Sequence, residues 1–107
     1  MIREQWPYKD ILIETTFQSR FGPQEWLQPY TDKTLEGLGK QDIDSIMVAT
    51  PGFSSDCVET LEEIAIEGKQ SFTEGGGRDF HMVDCLNDSP QHIQMMKSLI
   101  DPYLKTN

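Results

Sequence analysis

Residues 45–56 read Ser45-Ile46-Met47-Val48-Ala49-Thr50-Pro51-Gly52-Phe53-Ser54-Ser55-Asp56, and a long segment mixing acids with apolar residues, Cys57 to Thr73, follows. The run Ser45–Ala49 has the length and composition of a buried strand in a parallel sheet. Thr50-Pro51-Gly52 turns the chain. Ser55 or Asp56 can cap a helix, acids occupy its first turn, and Gly75-Gly76-Gly77 ends it. Strand, turn and helix in this order form the first half of a right-handed crossover. The alternation continues to either side. Lys9–Phe17, rich in Ile and Thr, reads as a strand. Gln18–Tyr30 is a loop punctuated by Gly22-Pro23 and Pro29. Thr31–Lys40 is a short helix capped by Thr31 and weakened by Gly37. Phe80–Leu86 reads as a third strand. Ser89-Pro90 opens a last helix to about Lys105, with Ile93, Met96, Leu99 and Ile100 on its inner face. The expectation is a single α/β domain over residues 1–107, three-layered, with a short parallel sheet in the order β-α-β-α-β-α. Ligands of such sheets bind beyond the C-terminal strand ends, here Gln18-Ser19-Arg20, Thr50–Ser55 and Cys85–Asp88.

The chain has 107 residues and a formal charge of −9, from 18 acidic against 9 basic side chains. That balance argues against nucleic acid or an anionic membrane surface as partner, since both require Lys/Arg patches. It suits cationic ligands, metal ions included. No apolar run approaches the ~20 residues of a membrane span, and the first residues lack the apolar stretch of a signal peptide. Cys57 and Cys85 make no disulfide framework, so a reduced, cytoplasmic setting is expected. His81 and His92 read as structural or surface residues. Gly75-Gly76-Gly77 follows a helix rather than a strand and is a stop, not a phosphate loop.

On a wheel of 100° per residue, Val58, Leu61, Ala65 and Phe72 fall on one side of the long helix, and Asp56, Glu59, Glu63 and Glu67 on the other. The apolar stripe is expected to pack on the sheet. The acids form a ladder without an interleaved base before Lys69, which is mildly unfavourable unless a cation, a proton or another domain meets it. Such a row can hold a divalent cation or pass protons.

Three segments resemble ferrochelatase motifs, in the family's order and spacing. They are Thr16-Phe17-Gln18-Ser19-Arg20-Phe21-Gly22 with Glu25-Trp26-Leu27-Gln28-Pro29-Tyr30-Thr31-Asp32; Pro51-Gly52-Phe53-Ser54-Ser55-Asp56-Cys57-Val58-Glu59-Thr60-Leu61-Glu62-Glu63-Ile64; and Cys85-Leu86-Asn87-Asp88-Ser89-Pro90. The resemblance runs from about Ile11 to Leu104. It implies the C-terminal half of a two-domain chelatase fold, in an enzyme of heme biosynthesis that inserts Fe²⁺ into protoporphyrin IX and releases two protons. It implies no organic cofactor, with Fe²⁺ and protoporphyrin IX as substrates. It assigns Glu59 and Glu63 to metal or proton handling, Cys57 to a position that is often His, and Trp26, Phe53, Ser19 and Arg20 to the porphyrin. The family's catalytic His lies in an upstream Ser-Ala-His-Ser motif that does not occur in these 107 residues. The chain alone is therefore expected to be inactive. Its cleft would be completed by the N-terminal half of the enzyme or by a second copy in a dimeric half-chelatase; a non-catalytic remnant is the remaining alternative.

Overall fold

The structure is a computed structural model and describes residues 2–8, 10–18, 25 and 27–104. Its elements run α1 (Ile2–Gln5), α2 (Thr31–Lys40), β1 (Ser45–Val48), a π-helix (Glu59–Gly68) continuing into α3 (Lys69–Gly75), β2 (Asp79–Met82) and α4 (Pro90–Leu104). The class is α/β with a short parallel sheet, consistent with half of a chelatase fold. Strand β1 pairs with β2 in the register Ile46↔Phe80 and Val48↔Met82. The connection between them is the long helix, as a parallel pair requires.

Of the strand expected over Lys9–Phe17, the described residues 10–17 contribute one parallel bridge, Phe17↔Tyr30. Ile11 and Leu12 are exposed. A β-branched run becomes a strand only along a neighbouring edge, and the backbone pairing found for this segment among the described residues is confined to Phe17, which bonds Pro29 and Thr31. Thr31, expected to cap α2, is its first helical residue, and its hydroxyl instead meets that of Thr16 at 2.8 Å.

The core lies where α2, the long helix and β2 meet. Leu35, Ile64 and Phe72 are buried, with Thr60 beneath the first helical turn. Phe72 and Phe80 stack obliquely, ring centroids 6.4 Å apart. Helix α2 crosses α3 at two glycines. A Cβ on Gly39 would sit 2.4 Å from the Phe72 carbonyl oxygen, and one on Gly75 would sit 2.5 Å from that of Glu36. Gly76, at φ 120°, ends α3 in a conformation that favours glycine. Gly77 leaves room for the Phe72 ring.

The helices cover one face of the sheet. Ile46, Val48, Phe80 and Met82 are half-buried there, while Ser45, Met47, Asp79 and His81 are exposed on the other. Helix α4 touches no other element among the described residues. Ile93, Met96, Leu99 and Ile100, expected to face inward, are all exposed. Only His92 of α4 is buried, so its apolar stripe is real but uncovered. Among the described residues no helix is long and apolar enough to cross a membrane.

Candidate functional site

The π-helix revises the wheel. With i→i+5 bonding it turns about once every 4.4 residues, so a row spaced by four drifts backward along it, drifts forward again through α3 and stays on one side. The buried row is Thr60, Ile64, Gly68 and, in α3, Phe72. Val58 and Leu61, expected against the sheet, are 70% and 54% exposed. Glu59, Glu63 and Glu67 each precede a member of the buried row and border it rather than oppose it. Glu59 and Glu63 are accordingly half-buried, and Glu67 is exposed.

Asp56 leaves the acid row altogether. It sits in the turn before the helix, where both carboxylate oxygens are engaged. Oδ1 accepts from the Thr60 hydroxyl (2.9 Å). Oδ2 accepts from the Asn87 side-chain amide (2.9 Å) and the Cys85 backbone N–H (3.3 Å). The Asp56 N–H donates to Asn87 Oδ1 at 2.8 Å, and the Cys57 N–H to Thr60 Oγ1 at 2.9 Å. The turn after β1 is thereby tied to the turn after β2, at the end of the sheet where α/β ligand sites form. The Asn87 amide, and after it the Thr60 hydroxyl, hold the Asp56 carboxyl below the usual carboxylate range. Burial pushes the Cys85 thiol up, with Asp56 adding to the effect; Thr50 Oγ1 lies 3.3 Å from its sulfur.

Cys57 is a free, exposed thiol one residue from this junction. Phe53 is half-buried in the Thr50–Phe53 turn, which its N–H closes onto the Thr50 carbonyl at 3.0 Å. Ser19, Arg20 and Trp26 lie outside the described residues. No three His, Cys, Asp or Glu side chains converge as a metal site among the described residues. On the outward side of the long helix an open groove of 590 Å³ is lined by Cys57, Val58, Leu61, Ile66 and the acids Glu62 and Glu67.

Sequence reasoning missed Thr60 and Asn87. A threonine amid acids carries no mark of burial, and Asn87 was legible as part of a strand end and a helix start but not as a partner of Asp56. The spacing of four from Thr60 to Phe72 was the available signal for a wider helix.

A family model described as ferrochelatase matches residues 1–104. Similar proteins include the ferrochelatase of Chelativorans sp. strain BNC1, 54% identical over 99 residues. That of Vibrio vulnificus strain YJ016 is 58% identical over 88 residues, and that of Francisella tularensis subsp. tularensis 52% over 94. These matches cover 92%, 82% and 88% of this chain and 28% of each relative.

Proposed function

Since this chain belongs to the ferrochelatase family, we propose that it forms the C-terminal part of an enzyme that inserts Fe²⁺ into protoporphyrin IX, the last step of heme biosynthesis. The observation that carries the reading is the pair Glu59 and Glu63. They are half-buried four residues apart on a π-helix whose start follows the Asp56–Asn87 junction at the strand ends, where α/β ligand sites form. Metalation of a porphyrin must remove two pyrrole protons while the incoming cation sheds water. Carboxylates at the rim of a core suit both tasks: they accept protons, and they ligate a divalent cation weakly enough to release it. Cys57, a softer donor, lines the outward groove with Glu62 and Glu67 and does not converge with Glu59 and Glu63 as a third ligand. Phe53, with Ser19, Arg20 and Trp26, would contact the macrocycle. Fe²⁺ is substrate here, and the chemistry needs no organic cofactor. The opposite wall of the cleft would come from the rest of a longer protein or from a second copy. The free thiols of Cys57 and Cys85 fit a reducing, cytoplasmic setting.

The test grafts residues 11–104 into the Vibrio vulnificus relative in place of its matching segment and follows loss of porphyrin fluorescence on Fe²⁺ addition. The native graft should turn over. Glu59→Gln with Glu63→Gln should lower the rate by about 10²-fold or more, the usual range for removing acid–base groups. Unchanged turnover in the double variant would remove both acids from the chemistry.

A further inference from the structure

Asn87 is fixed from three sides. Its N–H donates to the Ser54 carbonyl at 2.8 Å, its own carbonyl meets Nδ1 of the buried His92, and its side-chain amide pairs reciprocally with Asp56. Its backbone stands at φ 49°, a left-handed conformation that asparagine tolerates better than most residues. Asp56 in turn grips Thr60, which is fully buried and adjacent to Glu59. With both oxygens engaged, Asp56 acts as an anchor rather than as a ligand or base. A helix with i→i+5 bonds is rare beyond a single turn, so what holds its first turn decides how its side chains are presented.

We infer that Asn87 is a positioning residue: through Asp56 and Thr60 it fixes the start of the π-helix and so the height and rotation at which Glu59 and Glu63 stand. The inference rests on the reading that those acids act on protons or metal. A displacement of about 1 Å in such groups costs on the order of 10²-fold in rate.

Two variants test it. Asn87→Gly keeps the left-handed backbone and removes the amide. The exchange Asp56→Asn with Asn87→Asp rebuilds the reciprocal pair with its charge on the other side. In the graft, Asn87→Gly should lower kcat by roughly 10- to 100-fold while KM for porphyrin stays within about twofold. In the free chain, the same change should speed hydrogen exchange of amides 57–63 by about tenfold or more and leave those of Lys69–Gly75 unaltered. The exchanged pair should recover most of both losses. Wild-type kcat in Asn87→Gly, uniform loss of exchange protection along the chain, or no recovery in the exchanged pair would each overturn the inference. An inactive native graft would strike the reading of the acids instead. The exchange measurement needs no turnover and still decides whether Asn87 clamps the helix.

Discussion

Gly37 and Gly39 lie two residues apart on α2 and should answer an added methyl group in opposite ways. A Cβ on Gly37 meets nothing within 4 Å, so Gly37→Ala should gain about 0.5–1 kcal/mol of helix propensity. A Cβ on Gly39 meets backbone oxygen at 2.4 Å, so Gly39→Ala must push α2 off α3 and lose roughly 1–3 kcal/mol. Urea titration of the two variants checks both signs. Asp56 and Cys85 make opposite contributions to pH dependence. A carboxyl whose folded pKa is depressed adds stability that is complete above its unfolded value of about 3.9 and fades as pH falls through the folded one. Asp56→Asn should therefore flatten the acid limb of a stability–pH profile. The raised thiol of Cys85 stabilises the fold below its unfolded value of about 8.5, and that contribution fades as pH rises through the folded value. Alkylation with iodoacetamide at pH 8 should label exposed Cys57 about tenfold faster than Cys85.

The long helix is the element whose winding the sequence concealed. Its boundaries, its glycine stop and its acidic start were all legible, because caps and breakers act within a turn. Its period was not. An α wheel buries Val58 and Leu61, whereas the i→i+5 winding buries Thr60 and Ile64 and brings Glu59 and Glu63 to the edge of the core. The two windings predict opposite mutational orders. Ile64→Ala should cost roughly 2–4 kcal/mol by cavity formation, and Leu61→Ala should stay within about 0.5 kcal/mol, as thermal melts of the two variants will reveal. The Lys9–Phe17 segment failed for a different reason. Its residues have strand character, but pairing partners are supplied by tertiary context, which no local pattern encodes. For the site, Glu59 and Glu63 stood out as members of an acid row with no base interleaved before Lys69; Asn87 did not, because its role is a contact across 31 residues of sequence.

The molecule as a whole is more open than its length predicts. Its radius of gyration is 17.0 Å, against about 13 Å for a compact domain of this size. Its accessible surface is 8677 Å², where a 12.3 kDa monomer would show roughly 6,100 Å². The uncovered stripe of α4 and the bare side of the sheet contribute to this excess. Leu99→Ala should therefore cost less than about 0.5 kcal/mol in the free chain. In the graft it should cost about 2 kcal/mol or more wherever the longer protein covers α4, and paired denaturant titrations would map that covered surface. The π winding also bears on tolerance to shortening. Eleven α-helical steps leave Thr60 and Phe72 about as well aligned as the present eight wide steps and four ordinary ones. Deleting Ala65 should thus let the segment rewind as an ordinary helix without unseating either residue, and the trimmed chain should melt higher. The same edit would swing Glu63 by some tens of degrees toward the interior, gaining robustness at the expense of turnover.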